Sequence, residues 1–219
     1  MKFLLLILFT ISTSFAGDVQ LQGAFSGQKG GTPLFDYAKI DNATNSLMFI
    51  DYEHHEVHSG SSYLVSVSDA DLDTAEVLSV CFKTPNTTKW IHLTFALETS
   101  VKSTLSLNEG VTVTTNSGTS VTAINHNRNS SNTSGVIDYA TTPAAGNVTK
   151  NGTITADGTV LLTGTTAGSR TDQIVSSLTH NQEFVLKQNT GYCISITSNA
   201  DNNVADIRLD WYEHTNISR

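Results

Sequence analysis

The chain has 219 residues, of which 38% are hydrophobic and only 15% charged, with a formal charge of −8. That hydrophobic content suffices for one β-rich core, while the acidic balance and the lack of any basic stripe argue against a nucleic-acid partner. Thr, Ser and Asn carry the polarity, which favours strands and turns.

Residues 1–16, "MKFLLLILFTISTSFA", have one lysine, an apolar run and small residues at Ser14 and Ala16. This is the layout of a secretory signal cut after Ala16. The apolar run, Phe3 to Ile11, is too short for a membrane span, which needs about 20 residues. No other segment is apolar enough, so no span is expected in the mature chain. Residues 17–46, with "SGQKGGTP", carry little apolar pattern and read as an N-terminal arm.

Residues 47–219 read as one domain dominated by period-two patterns. "SLMFIDYEHHEVH", "SYLVSVSD", "AEVLSVCFKT", "KWIHLTFALE", "VTVTT", "EFVLKQ", "GYCISITS" and "VADIRLDWYEH" are the predicted strands. Only Asp69 to Val77 offers a short helix, opened by good capping residues. Turn signals recur at "HSGSS", "TPNTT", "LNEG", "TNSG" and "QNTG". The fold class is therefore all-β, a sandwich or jelly roll. Its core is expected to include Trp90, Leu93, Phe95, Leu97, Phe184, Leu186, Tyr192, Ile194, Ile196, Ile207, Leu209 and Trp211. Residues 125–172, rich in Asn, Thr and Gly, read as a long surface excursion holding one hairpin, "GTITADGTVLLTG", with "DG" as its turn. Asn125, His126, Asn127, Arg128 and Asn129 are its candidate contact residues. Cys81 and Cys193 lie in strand-like segments; they either pair, if their strands face one another, or stay buried as thiols.

The densest chemistry is "DYEHHEVH", Asp51 to His58, partly repeated in "DWYEHT" near the C-terminus. Read as a strand, Tyr52, His54, Glu56 and His58 share one face and Glu53 and His55 the other. Two histidines and a carboxylate resemble a metal set, with His214 as a further ligand. Residues i and i+2 on a strand lie about 6.5–7 Å apart, however, so three of them strain to share one ion. The helical zinc-protease motif fails because Glu56 stands two residues after His54 and the flanks read as strand. No nucleophile elbow, phosphate loop or dinucleotide fingerprint is present. Glu53 with Glu213 could pair as glycosidase carboxylates, but such pairs are common on β surfaces.

The favoured reading is a polar hydrogen-bonded seam joining Tyr52, Glu53, His54, Glu56 and His58 to Tyr212, Glu213 and His214. Carboxylates crowded around these imidazoles should favour their protonation. Trp90, Tyr139, Tyr192, Trp211 and Tyr212 could instead serve a sugar site. Glycosylation sequons stand at Asn42, Asn86, Asn129, Asn132, Asn147, Asn151 and Asn216.

Five blocks carry a resemblance: "IDYEHHEVHSGSSYLV", "TPNTTKWIHLTF", "NRNSSNTSGV", "EFVLKQNTGYCISI" and "LDWYEHT". In this order, from about Asn45 to Thr215, they resemble a group of tailed-phage virion proteins found in environmental phages. The resemblance implies a non-enzymatic, capsid-associated, decoration-like β-sandwich. It would act as a homo-oligomer among particle or capsid proteins, without a cofactor. Its expected place is the virion surface or, if the signal operates, outside the cell. The alternative is an exported glycan-binding or adhesive module contacting cell-surface sugars, and a metal-dependent enzyme using His54, Glu56, His58 and His214 comes third.

Overall fold

The computed structural model describes residues 40–41, 46–47, 52–140, 142–167 and 183–215. The expected signal and nearly all of the arm lie outside the described residues, as do Asn42, Asn216 and the side chains of Tyr52 and Glu53. The chain divides after Asp51. In the first unit two short strands, β1 (Ile40–Asp41) and β2 (Ser46–Leu47), pair antiparallel with Ile40 opposite Leu47.

The second unit is an all-β sandwich of antiparallel sheets. One sheet has five strands: β3 (Ser62–Leu72), β5 (Lys89–Thr99), β9 (Ile124–Asn125), β13 (Phe184–Leu186) and β15 (Asn203–Thr215). They lie in the order β13-β5-β15-β3-β9. The other has six: β4 (Val77–Lys83), β6 (Ser103–Glu109), β8 (Thr119–Thr122), β10 (Asn147–Lys150), β12 (Thr159–Thr165) and β14 (Gly191–Ser198). Their order is β12-β6-β14-β4-β10-β8. A further pair, β7 (Thr112–Val113) with β11 (Ile154–Ala156), stands apart.

Alternation explains which faces meet. Along β15 Ala205, Ile207, Leu209 and Trp211 are buried while Arg208 is exposed and Asp210 and Tyr212 are half-buried. They pack with Tyr63, Val65, Ile91, Leu93, Phe95 and Leu97 of the same sheet. Leu78, Val80, Phe82, Leu107, Val148, Tyr192, Ile194 and Ile196 complete the core from the facing sheet. Because side chains of a strand alternate between its faces, Ile91 and Leu93 turn inward and Trp90 must turn outward. It is 36% exposed, so the expectation that Trp90 supplies core is corrected.

The largest correction concerns "YEHHEVHS". Tyr52–Ser59 form an α-helix, α1, instead of a strand. Its C-terminus is closed by Gly60 at φ 73, with Gly60 N–H donating to Val57 O (3.1 Å) and Ser61 N–H to Glu56 O (3.0 Å). These two bonds around a left-handed glycine satisfy the last carbonyls of a helix. The sequence signals were Asp51, a favoured residue type just before a helix, and Gly60 just after it. Conversely, no helix forms at 69–77: Asp69–Leu72 extend β3 alongside β15, and a turn with Ala75 at φ 72 leads into β4.

Residues 125–172 are also more than a surface excursion. Within them β10 pairs with β4 and β8 and buries Val148 completely, and β12 forms the edge of the six-stranded sheet. The expected hairpin does not form, since β11 pairs with β7 and β12 with β6 across the Asp157–Gly158 turn. Cys193 lies directly opposite Cys81 on neighbouring strands, and the two are joined as a disulfide with Cα atoms 4.2 Å apart. The bridge sits on the sheet's outer side among Val111 and Val113. Among the described residues no helix is long and apolar enough to cross a membrane.

Candidate functional site

The outer face of the five-stranded sheet carries the most concentrated chemistry. Register sets its rows: Tyr212 of β15 lies between His92 of β5 and Ser62 of β3, and Asp210 between Thr94 and Leu64. One row further, His214 lies opposite Trp90. The helix α1 contacts β15 and β3 at this end. Together they leave a cavity of about 500 Å³ lined by Ser62, His92, His126, Glu183, Arg208, Asp210 and Tyr212, among others.

Two hydrogen-bonded groups line it. In the first, the Glu183 carboxylate accepts from His92 Nδ1 and from the Tyr212 hydroxyl, at 2.9 Å on Oε2. The His92 and Tyr212 rings stack with centroids 4.6 Å apart and 14° between their planes. His214 completes a three-ring cluster, with its centroid 4.4 Å from His92 and 5.8 Å from Tyr212. In the second group Ser62 Oγ meets His126 Nδ1 at 2.9 Å, and His126 Nε2 faces Asp210 Oδ1 at 3.4 Å. Arg208 grips the same carboxylate with Nε at 2.7 Å and Nη2 at 3.0 Å. A paired guanidinium and carboxylate beside ring faces suits a ligand bearing hydroxyl groups, which can accept from one and donate to the other.

The His214 imidazole is pushed below its ordinary value, chiefly by burial and then by His92, against the opposite pull of Glu56 and Glu183. The expectation that surrounding carboxylates favour the charged form is therefore corrected at His214. Desolvation disfavours the cation, and here it outweighs the two anions.

The expected seam is divided. Tyr212 and His214 belong to the outer face, while Glu213 points inward and is 3% exposed. Its Oε1 accepts from Ser134 Oγ (2.5 Å), Gly135 N (2.9 Å) and Trp211 Nε1 (3.2 Å). A β-carbon on Gly135 would stand 3.2 Å from Glu213 Oε2 and 3.1 Å from Pro85, so glycine permits this close approach. Burial first, and then Glu213, pushes the Tyr63 phenol up to about 12.

Within α1 the four-residue spacing places His54 and His58 on one exposed face, with their Nε2 atoms 2.8 Å apart. Glu56, two residues from each, turns inward and is 5% exposed. This separates the expected set of His54, Glu56, His58 and His214. Among the described residues no three His, Cys, Asp or Glu side chains group as a metal site.

The expected loop contacts resolve similarly. Asn125 is buried and donates from Nδ2 to Gly60 O and Asn132 O. Asn127 Nδ2 donates to His58 O at 3.0 Å, pinning the end of α1. His126 enters the cavity, and only Arg128 and Asn129 of the five are exposed. Of the sugar candidates, Tyr192 and Trp211 are core residues and Tyr139 packs against the disulfide cluster, leaving Trp90 and Tyr212 on the outer face. Sequence reading missed Ser62, His92, Glu183, Arg208 and Asp210. Strand parity places Arg208 and Asp210 on the face of Tyr212 without marking them as a site, whereas Ser62, His92 and Glu183 arrive only through sheet order.

No family model, curated protein or solved structure matches this chain.

Proposed function

We propose that this chain is a non-enzymatic structural surface protein, of the particle-decorating kind its sequence blocks resemble, acting by assembly and attachment. The observation that carries the reading is β12. Its segment "TVLLTGT" is uncharged, exposed along its whole length and, among the described residues, placed at the edge of the six-stranded sheet. Edge strands normally carry charges or proline that block further pairing, so an uncharged apolar edge fits addition of a strand from a second copy.

The strength of that contact follows from burial. Covering a whole Val or Leu is worth about 1.5–3 kcal/mol. Val160, Leu161 and Leu162 are 54%, 39% and 40% exposed; covering them in two copies gives on the order of 6 kcal/mol gross. Association itself costs about 4–15 kcal/mol. A register shift between Val160 and Leu162 further confines regular pairing to Leu162–Thr165. One edge thus supports weak pairing, which becomes firm only where a particle presents many copies. Purified native particles should contain the protein in stoichiometric amount; finding it only as a free monomer contradicts the reading.

A second reading, an exported glycan-binding module, is favoured by the cavity beside Tyr212 and by Trp90 exposed on the same face. A glycan array with the parent and Asp210→Ala tests it. Binding by the parent that Asp210→Ala abolishes supports this reading, and no binding by the parent removes it.

A further inference from the structure

We propose that His54 and His58 form a two-imidazole site for a divalent transition-metal cation, and that the bound ion holds α1 in its helical form beside the cavity.

The geometry of the pair carries this. Both side chains are exposed, and their ring centroids lie 4.6 Å apart at 51°. The two Nε2 atoms face each other at 2.8 Å, one donating its N–H to the bare nitrogen of the other. A metal taking the place of that shared proton would bond each nitrogen at about 2.0–2.1 Å, and two such bonds at right angles set the nitrogens about 2.9 Å apart. The observed spacing therefore already fits adjacent positions of a tetragonal or octahedral ion. A tetrahedral ion needs about 3.3 Å and a small opening of the pair. Copper and nickel should consequently bind ahead of zinc, in keeping with their general affinity for imidazole. Because Glu56 turns inward and His55 faces it at 3.5 Å, neither completes the set, and water or a ligand takes the other coordination positions.

The consequence for α1 follows from its weakness as a helix. It has eight residues, below the about 12–15 that an isolated helix needs in water. Glu56 is its one fully buried side chain among the described residues, with Val57 half-buried at the cavity wall. Residues four apart come together only when the segment is helical, so an ion bound by both imidazoles selects the helical state. That state includes the end held by Asn127 and the wall contributed by Val57.

The full chain, purified without a histidine tag, should be titrated with Cu²⁺ or Ni²⁺ alone by calorimetry, alongside His54→Gln, His58→Gln and His55→Gln. Binding should weaken at least tenfold in the first two and persist in the third. Unchanged affinity in either His54→Gln or His58→Gln overturns the site. Amide exchange within Tyr52–Ser59 should slow at least tenfold at saturating metal in the parent. Intact binding without such slowing overturns the claim that the ion orders α1.

Discussion

Replacing Glu213 with alanine probes how the loop around Ser134 is held to the sheet. The carboxylate accepts from Ser134 Oγ, Gly135 N and Trp211 Nε1, and both Ser134 and Trp211 are buried. Stranding a buried donor costs about 1–3 kcal/mol. The three penalties do not add in full, because Trp211 Nε1 retains Ser134 Oγ at 3.3 Å and the serine hydroxyl can rotate. A net loss of about 2–4 kcal/mol is expected, against a typical total of about 5–15 kcal/mol. For a chain of this size that lowers the melting temperature by about 5–15 °C. Urea unfolding followed by tryptophan fluorescence measures it directly. Glu213→Gln, which keeps one acceptor oxygen, should lose about half as much. A tyrosinate titration gives an independent readout: the Tyr63 phenol, at about 12 in the parent, should fall but stay above 10.0, since burial is the larger cause of its shift. A loss below about 0.5 kcal/mol in Glu213→Ala refutes the reasoning, because no buried donor would then depend on the carboxylate.

The disulfide closes a sequence separation of 112 residues. Its reduction, or replacement of both cysteines by alanine, should cost about 2–5 kcal/mol in denaturant unfolding; equal midpoints with and without reductant contradict this. The Glu109 carboxyl is held below its ordinary 4.5, first by hydrogen bonding from Lys187 and then from Tyr192. A depressed carboxylate stabilises the fold above its unfolded value and loses that contribution as pH falls through the folded one. Lys187→Met should therefore flatten the acid side of the stability curve below pH 4.5, and an unchanged slope counts against the contact. His214 is also depressed, from 6.5, so the neutral ring contributes stability above that pH that is lost as pH falls further. Unfolding free energies measured down from pH 6.5 should decline less steeply in His214→Asn, and parallel curves contradict the assignment.

What the sequence made legible depended on how strongly burial marks a segment. In β15 apolar and polar residues alternate over thirteen residues, and both faces were readable at once. β10 was hidden because Val148 is its one apolar residue, whereas β12 was read as an arm of a hairpin and only its pairing with β6 was missed. The strand reading of "YEHHEVHS" failed because eight mostly polar residues have almost no apolar period in either geometry. There the flanking Asp51 and Gly60 were better guides than periodicity. At the cavity, Tyr212 and His126 stood among the expected residues. His92 and Glu183 did not, since a carboxylate 91 positions from its histidine is joined to it only by strand order.

Assembly through the edge strand β12 is tested most directly by sedimentation velocity of the parent beside Leu162→Lys. A charge at this position blocks strand addition while leaving the core untouched. The sedimentation coefficient should rise with concentration in the parent, from micromolar to submillimolar, and stay at the monomer value in Leu162→Lys. A monomeric parent across that range, or equal association by both proteins, would contradict it.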